Sequence, residues 1–308
     1  MILTITANPS VDISYELEDF KIDDVSRTDQ VIKDAGGKGI HVGYVLKELG
    51  ADIVHSGFAG GALGNYIKDT LEAKGQKSRF IDIGEDTRNC IAILHGGKQT
   101  EILEKGPTIS DDEENEFLEK IDEISAGCDY INISGSLPSG LDVSFYKKII
   151  AYAKEKNKFI SVDTSGKTLE EVINSDIKPD LIKPNETEIV DVLKTEVSKE
   201  NLSEILLKSP FKDIKYVIVS MGKDGAVVKA DNKIYKASVP TVQAVNPVGS
   251  GDSSLAGALY AIDSGKDDVD IIKTSMTCGL LNVLNKEIAH INMDDFDKYY
   301  DQIKVEEI

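Results

Sequence analysis

The sequence predicts an α/β fold on a mainly parallel sheet with helices on both faces, and three observations predict it. Residues 2–7, 130–134, 159–162 and 216–219 are short apolar runs, the signature of buried strands. Amphipathic stretches with helical spacing alternate with them, which is the βαβ rhythm of a covered parallel sheet. A polar, often glycine-bearing segment follows each of these runs, where such folds gather their functional loops.

The elements follow in order. The first strand, residues 2–7, stops at Asn8-Pro9-Ser10. Residues 11–35 alternate loosely (Val11, Ile13, Tyr15 and Leu17, then Val25, Val31 and Ile32) and predict strands with one polar face, on which Asp12 falls. Ala35-Gly36-Gly37-Lys38-Gly39 is a glycine-rich loop that feeds a helix marked by Val42, Val45, Leu46 and Leu49 and closed by Gly50. A strand over 53–58 and a helix with Tyr66, Ile67 and Leu71 come next. Strands are predicted at 79–83, 89–95 and 98–103, then a helix opened by the capping box Ser110-Asp111-Asp112-Glu113.

Beyond residue 130 the rhythm is regular. Strands lead into Gly135-Ser136-Leu137-Pro138, Asp163-Thr164-Ser165-Gly166, Lys183-Pro184-Asn185-Glu186 and Ser220-Met221-Gly222-Lys223-Asp224-Gly225. The last of these opens a hairpin-like pair, and helices are predicted near 267–285 and 294–303.

Between them lies Asn246-Pro247-Val248-Gly249-Ser250-Gly251-Asp252, followed by Leu255, Leu259 and Ile262 at helical spacing. Free amides at a glycine-led helix start form an anion site. Asp252 would repel a simple anion there, but it suits a site where a hydroxyl attacks phosphorus. An aspartate N-cap behind a glycine loop accounts for the same residues.

Composition removes several classes of function. The net charge of −19 argues against nucleic acid or an anionic membrane as partner. No apolar run reaches the roughly 20 residues of a membrane span, and Met1-Ile2-Leu3-Thr4 reads as a strand rather than a signal peptide. Cys90, Cys128 and Cys278 lie far apart, which points to a reduced cytoplasm. Neither G-x-G-x-x-G nor G-x-x-x-x-G-K-[ST] occurs, so dinucleotide-binding Rossmann and P-loop sites are disfavoured. The only arginines among 35 basic residues are Arg27, Arg79 and Arg88, so an arginine here marks a candidate phosphate fork.

Taken together, Thr6-Ala7-Asn8-Pro9-Ser10-Val11-Asp12, Gly36-Gly37-Lys38-Gly39, Arg88-Asn89, Gly135-Ser136-Leu137-Pro138, Lys183-Pro184-Asn185-Glu186 and Gly249-Ser250-Gly251-Asp252 make the chain resemble the ribokinase-like sugar kinases of the PfkB family, nearly end to end. The resemblance implies a single domain over residues 1–308. It would be a three-layer α/β sandwich carrying a small β-sheet lid from about residues 11–35 and 87–107, with pairing of lids into a homodimer as one outcome and a monomer as the other. It implies ATP and Mg²⁺, and phosphorylation of a ketohexose phosphate. D-tagatose 6-phosphate ranks first, on Gly106-Pro107-Thr108 following Thr100–Leu103. Fructose 1-phosphate is the alternative and fructose 6-phosphate belongs to the same set. A non-catalytic sugar-phosphate sensor on this fold is the reading from another class.

By the same resemblance Asp252 is the base, and the amides of Gly249, Ser250 and Gly251 hold the transferring phosphoryl group. Asp12, Arg27, Gly36, Gly37, Lys38, Arg88 and Ser136 form the sugar-phosphate side, with Arg27 and Arg88 as phosphate readers. Lys183, Asn185, Ser220, Gly222 and Gly225 form the nucleotide side, with Asn282 beside adenine. Asn185 and Glu188 act on Mg²⁺ mostly through water, with Asp163 behind them. Arg79 lies outside the matched motifs and is expected at the surface.

Overall fold

A computed structural model describes residues 1–194 and 199–308. Among these, β1 (Ile2–Thr6) is an interior strand of a large sheet, while β2 (Ser10–Leu17) and β3 (Val31–Gly36) belong to a small one. Then come α1 (Lys38–Glu48), β4 (Ile53–Gly60), α2 (Gly61–Ala73), β5 (Lys77–Ser78), β6 (Ile81–Ile83), β7 (Arg88–His95) and β8 (Lys98–Leu103). The middle of the chain holds α3 (Asp111–Glu119), α4 (Ile121–Ile124), β9 (Tyr130–Ser134), α5 (Val143–Glu155), β10 (Phe159–Asp163), α6 (Gly166–Ile173), β11 (Leu181–Ile182), α7 (Glu186–Leu193) and α8 (Lys199–Leu206). It closes with β12 (Tyr216–Ser220), β13 (Ala226–Ala230), β14 (Lys233–Ser238), α9 (Ser250–Asp263), α10 (Asp268–Val283), α11 (Phe296–Tyr300) and β15 (Lys304–Glu307).

The large sheet has the order β15-β14-β13-β12-β11-β10-β9-β1-β4-β5, with β6 also on β4. Pairings from β12 through to β5 and β6 are parallel, and β13, β14 and β15 add an antiparallel edge. All five residues of β1 are buried, as a central strand covered on both faces requires. One face packs Phe58, Phe117 and Phe145, at ring separations of 5.2–5.6 Å, with Ile149, Val172 and Leu206. The other packs Val42, Val45 and Leu46 of α1 against Leu255 and Leu259 of α9 and Ile272 of α10. No described helix is long and apolar enough to cross a membrane.

The small sheet runs β3-β2-β7-β8 and pairs β2 with β7 in parallel, Asp12 opposite Cys90. The expected polar-faced strands over 11–35 are therefore two strands joined by a largely exposed loop. Two C-terminal elements differ from what the sequence predicts. The strand β15 is the charged stretch Lys-Val-Glu-Glu and becomes a strand only by pairing with β14. The helix expected over 294–303 shrinks to Phe296–Tyr300 behind a short 3₁₀ turn.

Candidate active site

The C-terminal ends of β1, β9, β10, β11 and β12 open onto one cleft of about 640 Å³. Thr6 and Asn8, Gly135 and Ser136, Asp163 to Ser165, Lys183 and Asn185, and Ser220 and Gly222 line it from those ends. The small sheet contributes Asp12, Arg88 and Cys90, α1 contributes Lys38 and His41, and α9 brings Gly249 to Asp252. The spent ends of parallel strands are where such folds collect their ligands.

The start of α9 is fixed from behind. Gly249 is the N-cap residue at φ 79°, a left-handed conformation that suits glycine. A Cβ there would meet Ile288 at 2.8 Å and the Ala289 nitrogen at 3.0 Å. Asn282, fully buried on α10, donates to the Val248 carbonyl at 2.8 Å and accepts from the Ala289 N–H at 2.7 Å and the Ser253 hydroxyl at 3.2 Å. Both ends of its amide are engaged inside the protein, and Asn282 is absent from the cleft lining, contrary to the expectation that it lies beside adenine: it clasps the glycine loop from inside. The first-turn amides of α9 lack intrahelical partners by geometry, and the helix dipole favours an anion there. Lys183 is only 5% exposed, and its ammonium lies 3.1 Å from where a Gly251 side chain would begin. No carboxylate among the described residues pairs with it, so its charge is available to the cleft beside those amides.

Asp252, 7% exposed in the first turn of α9, does not stand alone. His41 Nδ1 lies 3.2 Å from Asp252 Oδ2, and His41 Nε2 lies 3.1 Å from Asp12 Oδ2. Burial alone would lower the His41 pKa, but its bonds to Asp12 and Asp252, and their charges, outweigh this and raise it to about 10. His41 did not feature in the sequence reading, because one histidine inside an apolar helix pattern has no local signature. Lys38 pairs with the buried Asp163 at 3.3 Å, and chiefly that charge raises its pKa, against burial.

On the sugar side the structure keeps some expected residues and moves others. Asp12, Gly37, Lys38, Arg88 and Ser136 line the cleft. Gly36 does not, but a Cβ there would strike the Asp12 carboxyl at 2.0 Å, so it makes room for that side chain. Arg27 is exposed on the loop between β2 and β3, away from the cleft. Arg79, expected at the surface, is half-buried and donates from one nitrogen to the carbonyls of Glu123, Ile124 and Ala126 at the end of α4. Arg88 donates to the carbonyls of Asn8 and Glu104 at 3.0 Å each, while its Nε is buried without a partner. The other partnerless buried side-chain atoms among the described residues are Thr6 Oγ1 and Asn8 Oδ1, and both residues line the cleft too. Buried polar atoms are normally paired, so three orphans in one cleft favour a polar ligand there.

On the nucleotide side, Asn185 and Ser220 meet through a parallel bridge, and Gly222 adjoins them at φ 55°. Gly225 lies outside the lining; at φ 87°, with the Ala237 carbonyl 2.0 Å from any Cβ, it lets the chain turn into β13. Asn185 and Glu188 form a capping box on α7, in which Glu188 Oε2 accepts from the Asn185 N–H at 2.8 Å. No group of three or more His, Cys, Asp or Glu among the described residues is arranged to hold a metal ion. One carboxylate and one amide at the rim fit Mg²⁺ held mainly by phosphates and water, its usual mode on nucleotides.

This fold and this cleft are those of a carbohydrate kinase. Residues 5–294 match the pfkB family carbohydrate kinase model, and the chain belongs to that family. Two relatives from Staphylococcus epidermidis, each a tagatose-6-phosphate kinase, are 45% identical over all of this chain and all of theirs. The phosphofructokinase-2 of Escherichia coli superposes with a TM-score of 0.90 at 24% identity, covering 97% of this chain and 98% of that one.

Proposed function

We propose that this kinase transfers the γ-phosphoryl group of ATP to the free hydroxymethyl of D-tagatose 6-phosphate, giving D-tagatose 1,6-bisphosphate. The full-length likeness to two kinases of that substrate supports the choice of sugar. The observation that carries the chemistry is Asp252 in the first turn of α9, with Lys183 beside the same turn.

Phosphoryl transfer runs through a loose transition state, so catalysis is mostly positioning and charge stabilisation. The amides of Gly249, Ser250 and Gly251, with Lys183, hold the equatorial oxygens as charge spreads over them. The sugar hydroxyl oxygen bonds to phosphorus, the bond to the ADP oxygen breaks, and the hydroxyl proton passes to Asp252. A carboxylate is a weak base, which suits a proton that leaves late in such a transfer. Asn185 and Glu188 would hold a Mg²⁺ ion through its water shell, and when bound it would supply positive charge to offset that of the phosphates.

On the other side Asp12 grips sugar hydroxyls and Arg88 reads the phosphate already on the substrate. Closure of the small sheet over the cleft excludes water and limits ATP hydrolysis. Exposed Val31, Ile32 and Ile102 on that sheet support a homodimer formed there.

A coupled ADP-release assay with tagatose 6-phosphate, fructose 1-phosphate and fructose 6-phosphate tests the reading. Tagatose 6-phosphate is expected to give the highest kcat/KM. A higher value with fructose 1-phosphate would reassign the substrate, and no turnover with any of them would overturn the proposal.

A further inference from the structure

The helix start that presents Gly37 and Lys38 to the cleft also presents His41, three residues on and therefore on the same face. Both nitrogens of its ring face carboxylate oxygens, Asp252 Oδ2 at 3.2 Å and Asp12 Oδ2 at 3.1 Å. Carboxylates only accept, so a ring bonded to one on each side needs a proton on both nitrogens, which is the imidazolium form. The other charges around it have other tasks. Lys38, in the preceding turn, is paired to Asp163, and Lys183 lies beside Gly251. On the far side of α1, Tyr44 donates to Asp34, and Gly43 packs on His55 of β4, whose pKa burial lowers to about 4.

We propose that His41 is a positioning residue that locks Asp252, the base, to Asp12, the sugar-gripping carboxylate. The imidazolium holds one oxygen of Asp252 and leaves the other for the acceptor hydroxyl. It also offsets one of two negative charges that would otherwise repel a doubly phosphorylated ligand pair. A sugar that engages Asp12 thereby meets a base already oriented, which couples substrate grip to base geometry. The inference rests on the kinase reading, but the bridge itself can be measured without turnover.

Ring-nitrogen NMR of the whole protein provides that measurement, with His41→Gln assigning the signal among the four histidines. Both His41 nitrogens are expected to carry protons at pH 8. Asp12→Asn and Asp252→Asn should each lower its titration midpoint by about one unit or more. A His41 that titrates near the ordinary value, or that neither variant moves, would overturn the bridge. In steady-state kinetics, His41→Gln and His41→Leu should keep the KM for ATP and lose kcat by about 10²-fold, the scale of a misplaced catalytic group. His41→Gln, which retains a donor, should lose less than His41→Leu. Unchanged kcat in both would remove the positioning role. If the wild-type protein turns over no sugar phosphate, the kinase reading fails, while the NMR titration still decides the bridge.

Discussion

The two walls of the cleft are built differently. The wall at α9 rests on buried groups: Asp252 is 7% exposed, Lys183 5% and Asn282 0%. The wall at the small sheet is half-exposed along all of β7, and β8 is mostly exposed. A cradle fixed from behind by buried groups, with its amides left free, suits the phosphoryl group, which is the same for every sugar and needs donors fixed before the reaction. A thin sheet with one face to solvent tolerates change in the residues that read the sugar. On the proposed mechanism this difference would put reaction chemistry on one side and substrate choice on the other, with His41 bonded to a carboxylate of each.

The largest expected break is on the buried wall. Asp252→Asn should keep binding of ATP and sugar phosphate but lose on the order of 10³-fold in kcat; near-normal turnover would remove Asp252 from the mechanism. Asn282→Leu comes next, since it leaves the part-buried Val248 carbonyl and the buried Ala289 N–H without that partner. It should destabilise the protein by about 3 kcal/mol in urea unfolding. A KM increase confined to ATP, with unchanged stability, would restore an adenine role for Asn282.

On the exposed wall, Arg88→Ala should raise the KM for the phosphorylated sugar by about 30-fold, the worth of a charge-assisted contact. An equal effect on unphosphorylated sugars would show that Arg88 supports the sheet through the Asn8 and Glu104 carbonyls rather than reading phosphate. The smallest effect tests the link between the walls. His41 has its folded pKa raised from 6.5 to about 10, so its stabilisation is full below pH 6.5 and is lost as pH rises toward 10. The melting-temperature gap between wild type and His41→Gln should therefore narrow over that window, and a constant gap would speak against a charged bridge.

Much of this was legible in the chain. The alternation of short apolar runs with helical periods, the glycines at 36–39 and 249–251 and the capping box at Ser110 are set by neighbours a few residues apart, and the fold reproduces each of them. The order of those loops also placed Asp252, Lys183, Asn185 and Arg88 around one cleft. The expectation for Arg27 rests on residue type, and type does not say where a long loop points. The amide of Asn282 is drawn inward by the Val248 carbonyl, 34 residues before it, and the Ala289 N–H, 7 residues after it.

Local spacing therefore determined the strand-loop-helix succession and the family's motifs, because periodicity and turn chemistry act over a few residues. The tertiary structure decided which side chains meet. Asp12 and His41 are 29 residues apart, and His41 and Asp252 are 211 apart. Only the crossing of α1 and α9 beneath the small sheet brings the three together, and no local pattern encodes a contact made across that distance.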